Sequence, residues 1–303
     1  MKPRLSIAIA VILLLAVPGR LISAESTALP DPSLMSDHFL DLPYADKSSA
    51  QKLDIYLPKQ GEKPYPVVLR IHGNTPKAAN KRSRIAAYAD PLLKKGYAVV
   101  SIDYRYSSEA IFTARIYDVK AAVRYIKAVA ADYDLDPHRI IAWGESTGGT
   151  LAALLAVSGD TEALEDLSLG CPDQSSRIYG AVVWSGVFDF LEVDGQASKT
   201  SNPDLAGSRH AGSPTGGIPG LSEFLNPATY ITVDDPPFLI QHGSKDKQVP
   251  VQQAVAFAAE LEKVLGSEMV SLDLLEAATH DDPAFFSPGN MEKVLNFLNA
   301  WTD

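Results

Sequence analysis

One stretch of this chain decides the fold: Arg139-Ile140-Ile141-Ala142-Trp143-Gly144-Glu145-Ser146-Thr147-Gly148-Gly149. It has the pattern of an apolar strand, a tight turn that holds one serine between glycines, and the start of a helix. A strand-to-helix turn of this kind forces the serine into a strained backbone conformation and lifts its hydroxyl clear of the sheet. Gly144 and Gly148 lack the Cβ atoms that would collide in such a turn. The pattern therefore predicts Ser146 as a nucleophile, with an incidental serine in a glycine-rich turn as the alternative.

Away from this turn, apolar runs rich in β-branched residues alternate with helical patterns. The predicted strands are 52–57, 67–72, 98–103, 140–143, 180–184, 238–241 and 270–275, and the predicted helices are 84–95, 115–131, 146–157, 251–265 and 291–301. Near-continuous apolar strands that alternate with helices indicate an α/β fold, a mostly parallel central sheet with helices on both faces. Residues 25–50 lack such a pattern, and we interpret them as a polar lead-in punctuated by prolines.

The N-terminus has the layout of a secretory signal peptide. Lys2 and Arg4 precede an apolar run at 7–17, and a small-residue cleavage site follows. The run is short for a membrane span and is followed at once by a proline and a glycine. We expect residues 1–24 to be removed and 25–303 to form one domain of a secreted or periplasmic protein, with an uncleaved membrane anchor as the alternative.

The net charge of the chain indicates which classes of binding partner are disfavoured. The chain has 27 basic and 37 acidic residues and a net charge of −10. Such an acidic chain disfavours nucleic acid and anionic lipid as partners, so we expect no nucleic-acid binding and no stable membrane insertion after cleavage. The single cysteine, Cys171, excludes an intramolecular disulfide and a metal site built from several cysteines. Oligomeric state leaves no signal in the sequence.

Two regions interrupt the alternation of strands and helices, 158–176 and 189–229. The second includes the stretch 207–220, which is too rich in glycine and proline for a regular element. A loop of this length in a compact domain is usually a lid, a binding loop or disordered. Large apolar side chains lie close to it in the chain: Phe188, Phe190, Leu191, Phe224 and Leu225. We predict that 189–229 forms a small, loop-rich lid beside the binding pocket, with surface disorder as the alternative.

A serine hydroxyl becomes a good nucleophile only when a base takes its proton and a carboxylate orients that base. Of the six histidines, His280 follows the predicted strand 270–275 through a short loop, as the chain order serine, acid, histidine requires. Asp246 follows the strand 238–241 and a glycine turn, and we assign it as the acid. A turn-capping role for Asp246, with Asp189 as the acid, is the alternative. The predicted catalytic residues are Ser146, Asp246 and His280.

Acyl transfer also needs two N–H donors aimed at the tetrahedral oxyanion. One donor is predicted to be the backbone of Thr147, directly after the nucleophile. The other is expected in the loop after strand 67–72, where Gly73 allows close approach of the backbone and Asn74 follows. The chemistry implies no metal and no organic cofactor.

These residues together resemble the α/β-hydrolase superfamily and, within it, the secreted carboxylesterases that are hormone-sensitive-lipase-like or feruloyl or acetyl-xylan esterase-like. The resemblance covers most of residues 45–300. The motifs that carry it are Asp103-Tyr104-Arg105-Tyr106, 118–125, 136–140, 144–149, and 234–238 running into His242-Gly243. It implies an α/β-hydrolase fold and a serine hydrolase that cleaves short acyl or carbohydrate-linked esters through an acyl-enzyme on Ser146. A serine peptidase of the prolyl-oligopeptidase type and a non-catalytic binding protein with this fold are the alternatives.

The chain departs from the family pattern at two places. The family usually carries His-Gly-Gly-Gly, whereas residues 72–76 here are His-Gly-Asn-Thr-Pro. Glycines often follow the family's histidine, whereas Asp281 and Asp282 follow it here. If either carboxylate lies close to His280, it raises the pKa of His280 by stabilising the imidazolium. The activity optimum would then move to higher pH, because His280 must be neutral to act as a base.

Overall fold

The computed structural model describes residues 27–73, 80–106, 109–110, 112–159, 161–189 and 221–302. Its strands are β1 (Met35–Pro43), β2 (Lys52–Pro58), β3 (Tyr65–Ile71), β4 (Ala98–Ile102), β5 (Leu135–Glu145), β6 (Gly180–Trp184), β7 (Phe238–Gly243) and β8 (Val270–Leu275). The described α-helices are α1 (Ile85–Leu93), α2 (Phe112–Ala128), α3 (Thr147–Val157), α4 (Leu221–Leu225), α5 (Val251–Leu265) and α6 (Pro288–Thr302). Short 3₁₀ helices lie at Pro32–Leu34, Ala130–Tyr133, Glu162–Leu164, Leu167–Leu169, Pro227–Tyr230 and Pro283–Phe286. The predicted signal peptide, Asn74 and residues 190–220 of the predicted lid lie outside the described residues.

The strands form one sheet in the order β1-β2-β4-β3-β5-β6-β7-β8. The pairs β1–β2 and β2–β4 are antiparallel, and every other neighbouring pair is parallel. The mostly parallel sheet predicted from the apolar runs is therefore confirmed. None of the helices that the structure describes is long and apolar enough to cross a membrane.

Alternation along the strands explains why helices cover both faces of the sheet. In β3, Val67, Leu69 and Ile71 belong to one buried cluster, whereas Val68 belongs to another. The first cluster includes apolar residues of α2, α3 and α5, and the second includes those of α1 and α6. Since successive side chains of a strand point to opposite faces, each central strand buries apolar groups on both sides. The sheet is thus a middle layer between two helical layers.

Strand β1 was not predicted, and the interpretation of 25–50 as a lead-in without regular structure is wrong. The strand Met35–Pro43 pairs with β2 at the edge of the sheet and has register shifts on both sides of Asp37 to Phe39. Most of its side chains are exposed or only half-buried. An edge strand needs no continuous apolar run, and polar side chains and bulges are common there because they block further pairing. Its sequence pattern is consequently weak.

The described end of the predicted lid packs into the core. Leu225 is fully buried in the cluster that covers the α2, α3 and α5 face, and Phe224 packs against it. Phe188, which we expected beside the lid, is also buried there and stacks on Phe257 with ring centroids 4.3 Å apart. Burying one such phenyl group stabilises the fold by about 1.5–3 kcal/mol. These aromatic groups therefore serve the core.

The turn after β5 leaves no room for side chains at its glycines. A Cβ atom on Gly144 would lie 2.0 Å from the carbonyl oxygen of Gly148, across the turn. A Cβ atom on Gly148 would lie 2.1 Å from the carbonyl oxygen of Ile71, in the neighbouring strand β3. Between them, Ser146 has φ 53° and ψ −123°, a conformation that L residues rarely adopt. The strained turn predicted from the sequence is present.

We predict that Gly148→Ala lowers the free energy of unfolding by at least about 3 kcal/mol, the upper end for overpacking, because the new methyl group meets rigid backbone. Gly289→Ala is the matched control, since a Cβ atom there meets nothing within 4 Å. The control should change the free energy of unfolding by less than about 1 kcal/mol. Urea unfolding of both variants provides the measurement. Equal stability of the two variants would contradict the packing argument.

Candidate active site

The residues predicted for the site lie at the carboxyl ends of neighbouring strands. Ser146 follows β5, Gly73 follows β3, Asp246 follows β7, and His280 follows β8. Because these strands are parallel, their carboxyl ends lie at one edge of the sheet, where α/β proteins usually bind ligands. Residues far apart in the chain therefore meet there.

The structure brings the serine, the histidine and the aspartate into hydrogen-bonding contact. His280 Nε2 lies 2.9 Å from Ser146 Oγ, and His280 Nδ1 lies 2.6 Å from Asp246 Oδ2. A carboxylate only accepts hydrogen bonds, so Nδ1 of the neutral ring carries the proton and Nε2 accepts from the serine hydroxyl. Asp189, the alternative acid, follows β6, and its backbone N–H donates to Gln253 Oε1. The aspartate at the histidine is Asp246.

Four donors surround the carboxylate of Asp246. Its Oδ1 accepts the backbone N–H groups of Gln248 and Val249 at 2.8 and 2.9 Å. Its Oδ2 lies 2.6 Å from His280 Nδ1 and 3.2 Å from His242 Nε2. Burial opposes ionisation, but the hydrogen bonds from His242 and His280 outweigh it and hold the pKa of Asp246 well below its usual value. The carboxylate is therefore ionised at neutral pH.

Two further histidines hold the loops around this site. His242 is fully buried, and its Nε2 lies 3.0 Å from the carbonyl oxygen of Val249 as well as facing Asp246. His72 is also fully buried, and its Nδ1 lies 2.8 Å from the carbonyl oxygen of Gly73. A carbonyl oxygen accepts only, so each of these ring nitrogens carries a proton. His242 thus ties the acid's loop together, and His72 ties the loop after β3.

Two of the three residues predicted for the oxyanion hole lie next to Ser146. Thr147 is the first residue of α3, directly after the serine. A Cβ atom on Gly73 would lie 3.3 Å from the Cβ atom of Ser146, so the backbone of the β3 loop passes close to the hydroxyl group. Asn74 lies outside the described residues.

Asp281 and Asp282, which follow His280, have different interactions. Burial lowers the pKa of His280, but the carboxylates of Asp246, Asp281 and Glu145 outweigh that effect and raise it above its usual value. Asp282 instead accepts the backbone N–H groups of Thr279 and Ala284. Asp281 therefore contributes to the raised pKa of His280, in the direction expected from the sequence.

A cleft of about 240 Å³ opens beside the serine and the histidine. Its lining combines charged and aromatic groups: Arg84, Glu145, Ser146, Trp184, Ser185, His280, Asp281, Asp282, Phe285 and Phe286. Within the part of the chain that the structure describes, no three His, Cys, Asp or Glu side chains are grouped as metal ligands. The wall of this cleft accommodates a polar ligand with an apolar face.

A charged cluster beside the serine was not predicted from the sequence. Glu145 binds the guanidinium of Arg84 and the hydroxyl of Tyr88, and its Oε1 lies 3.4 Å from Arg70 Nη2. Burial opposes the ionisation of Glu145, but Arg84 and Arg70 lower its pKa below the usual value. One signal was available: Arg70 stands inside the otherwise apolar strand β3, and a charged side chain is almost never buried without a partner.

Comparison with known proteins agrees with this geometry. The family model described as BD-FAE matches residues 53–261. The chain belongs to the BD-FAE family. This confirms the α/β-hydrolase carboxylesterase resemblance inferred from the motifs.

The BD-FAE assignment is supported by curated relatives. The chain is 30% identical to the probable carboxylic ester hydrolase LipM of Mycobacterium tuberculosis, over 78% of this chain and 54% of the relative. It is also 30% identical to the esterase LipQ of the same organism, over 79% of this chain and 56% of the relative. The chain thus spans little more than half the length of these two relatives.

The fold of the chain is also similar to that of a solved structure. A truncated form of a carbohydrate esterase from gut microbiota superposes with a TM-score of 0.80 at 28% identity, covering 90% of this chain and 98% of that one. The α/β-hydrolase fold predicted from the sequence is therefore confirmed.

We predict that the imidazole of His280 titrates with a pKa above the usual value of about 6.5 and that Asp281→Asn lowers that pKa. The reason is that the Asp281 carboxylate stabilises the imidazolium. NMR titration of the ring protons of His280 measures both values. Asp273→Asn, in β8, is the control and should leave the titration unchanged. An unchanged pKa in Asp281→Asn would remove Asp281 from this account.

Proposed function

We propose that this BD-FAE protein is a serine carboxylic ester hydrolase that works through an acyl-enzyme on Ser146. The observation that carries the proposal is the hydrogen-bonded series Ser146 Oγ, His280 and Asp246, with distances of 2.9 and 2.6 Å. The esterase relatives and the carbohydrate esterase structure support the same chemistry. Residues 25–303 would form the catalytic domain.

In the proposed mechanism, Ser146 Oγ attacks the ester carbonyl while His280 Nε2 takes its proton. Asp246 keeps the proton of the ring on Nδ1, so that Nε2 is free to accept, and stabilises the imidazolium that forms. His280 then gives its proton to the leaving alcohol. A water molecule, deprotonated by the same nitrogen, attacks the acyl-enzyme, and His280 returns the proton to Ser146 Oγ as the acid leaves.

The negative charge of the tetrahedral intermediate requires donors that are already in place. We assign this role to the backbone N–H of Thr147 and to the loop of Gly73 and Asn74. The start of helix α3 lies behind Ser146, and its partial positive charge favours an anion at the same point. This chain has asparagine where the family usually has a second glycine. Both residues carry a backbone N–H group, so the proposed donor is available with either.

The raised pKa of His280 sets the direction of the pH dependence. The histidine accepts a proton only when it is neutral. Protonation begins at a higher pH than for an ordinary histidine because carboxylates surround the ring. Activity is therefore lost, as the pH falls, at a higher pH than the usual histidine value of about 6.5.

The cleft favours esters with a short acyl group or a carbohydrate alcohol. Charged groups line much of it, and a long hydrocarbon chain would leave them without water or a partner.

We predict that Ser146→Ala reduces ester hydrolysis on the order of 10⁶-fold, as loss of the nucleophile does in another serine hydrolase. The assay is a panel of aryl esters from acetyl to decanoyl, with a feruloyl ester. Ser185→Ala is the matched control, since it removes another hydroxyl group from the same cleft. The Ser185 hydroxyl lies 3.5 Å from the carbonyl oxygen of His280. Loss of one such neutral hydrogen bond costs about tenfold or less.

Three outcomes separate the alternatives. Equal losses in the two serine variants would contradict the assignment of Ser146. Absence of ester hydrolysis with covalent labelling of Ser146 by an organophosphonate would support a peptidase. Absence of both would support a binding protein that has lost turnover.

We also propose that residues 1–24 are a cleaved signal peptide and that the protein is secreted or periplasmic. The basic start, the short apolar run and the small residues before Glu25 support this. N-terminal sequencing of the exported protein should begin at Glu25. An intact N-terminus in the membrane fraction would support the membrane anchor instead.

A further inference from the structure

Arg84 is held firmly in the wall of the cleft. Its Nη2 donates to Glu145 Oε2, and its guanidinium carbon lies 5.3 Å from the centre of the Phe286 ring. Only 13% of its side chain is exposed. The guanidinium is thus fixed along one edge by a carboxylate and on one face by a phenyl ring, so binding a ligand requires little loss of side-chain entropy.

The charge of Arg84 is only partly neutralised. Glu145 is a single carboxylate, and it faces the guanidinium of Arg70 at 3.4 Å as well as that of Arg84. Within ion-pair distance, these two positive groups therefore share one negative group. Among the residues that the structure describes, no acceptor lies within hydrogen-bonding distance of Arg84 Nε or Nη1. Arg84 consequently keeps N–H groups available at the cleft.

Asp281 supplies the complementary group. It is exposed, lines the same cleft and follows His280 directly in the chain. No donor in the described part of the chain reaches its carboxylate, unlike that of Asp282, which caps the turn that follows. Arg84, His280 and Asp281 line one cleft, and the charge of Asp281 raises the pKa of the other two. The cleft thus offers a charged donor and a charged acceptor next to the nucleophile.

This pairing selects the chemistry of the ligand. A hydroxyl group both donates and accepts, so a polyhydroxylated group can satisfy Arg84 and Asp281 together. An anion would be attracted by Arg84 but repelled by Asp281, and a hydrocarbon chain would leave both charges desolvated. The aromatic rings of Phe285 and Phe286 border the same space and can cover the apolar face of a sugar ring.

Building on the esterase function proposed above, we propose that Arg84 and Asp281 form a hydroxyl-binding subsite for the alcohol part of the ester. Arg84 donates to oxygen atoms of an uncharged, polyhydroxylated alcohol, and Asp281 accepts from its hydroxyl groups. The subsite lies on the side of the leaving group, because His280, which protonates the leaving oxygen, is the neighbour of Asp281. The two residues determine which ester binds, whereas Ser146 and His280 carry out the reaction.

The test compares two acetyl esters that differ only in the alcohol, p-nitrophenyl acetate and acetylated xylo-oligosaccharide. It is run at a pH well above the kinetic pKa of each variant, so that His280 is neutral throughout. We expect Arg84→Lys and Asp281→Asn each to lower the ratio of kcat/KM for the sugar ester to that for the aryl ester at least about tenfold, since hydrogen bonds to charged groups are the strong ones. The loss should come mainly through KM. Arg139→Lys and Asp273→Asn alter ion pairs that involve no residue lining the cleft, and they should leave the ratio unchanged.

Binding measurements keep the subsite testable apart from turnover. Calorimetry of Ser146→Ala protein with the acetylated oligosaccharide should show binding that weakens at least about tenfold when Arg84→Lys or Asp281→Asn is added. If Arg84→Lys fails to fold, the exposed Asp281→Asn variant decides the question alone.

Three results would overturn the proposal. Equal loss of activity on the two esters would mean that Arg84 acts only as the counterion of Glu145. A selective loss confined to an ester that carries a uronate carboxylate would identify an anion as the ligand of Arg84. Sugar binding that neither substitution weakens would place the subsite elsewhere. A different outcome would separate the two proposals. If the wild-type protein binds the sugar through these residues but hydrolyses neither ester, the esterase function is contradicted and the subsite is supported.

Discussion

The backbone of the turn after β5 and the backbone of β3 pass each other with no space for a Cβ atom between them. Gly148 lies against the carbonyl oxygen of Ile71, and strand pairing places Ile71 opposite Gly144 in the parallel register of β3 and β5. This contact fixes the angle at which α3 leaves the sheet and holds Ser146 at a positive φ. It also brings the loop of Gly73 next to the serine. The position of the nucleophile and the approach of its neighbouring loop are thus consequences of one close packing of backbone on backbone.

A second constraint is electrostatic. Burying a carboxylate costs several kcal/mol unless donors replace its water, and Asp246 has four such donors. Two of them, His242 and His280, share one oxygen atom. His242 is held by the carbonyl oxygen of Val249 and stays in place, whereas His280 is the histidine that faces the serine. The fixed donor helps to keep the acid ionised, and the ionised acid orients the histidine that must exchange protons.

Strands β2 to β7 were predictable because the sheet buries most of their side chains on both faces, which makes their sequences largely apolar. Strand β8, at the other edge, is less buried but still carries four apolar residues among six. Strand β1 was not predictable, because an edge strand with mostly exposed side chains carries no such signal. The glycine-flanked turn selected Ser146, and chain order then selected His280. For the acid, the strand and glycine turn before it favoured Asp246 and left Asp189 as the alternative. The structure places Asp246 at the histidine because β7 lies beside β8.

Contacts between side chains that lie far apart in the chain could not be predicted from the sequence. The sequence placed Phe188 beside the predicted lid, whereas its burial and its stack on Phe257 show that it belongs to the core. The sequence shows that Arg70 is a charged residue within an apolar strand, but it does not show that Glu145 is its partner.

Glu145, the acid that contacts Arg70, directly precedes the nucleophile in the chain and also positions Arg84. Glu145 ends strand β5 on the same face as Trp143, so its side chain points into the layer under α1. There it holds the guanidinium of Arg84, at the start of α1, against the cleft. The backbone that strains the serine and the side chain that positions a charged wall of the cleft therefore belong to adjacent residues. A ligand bound at Arg84 is in this way held at a fixed distance from the serine hydroxyl, because one short segment of chain supports both.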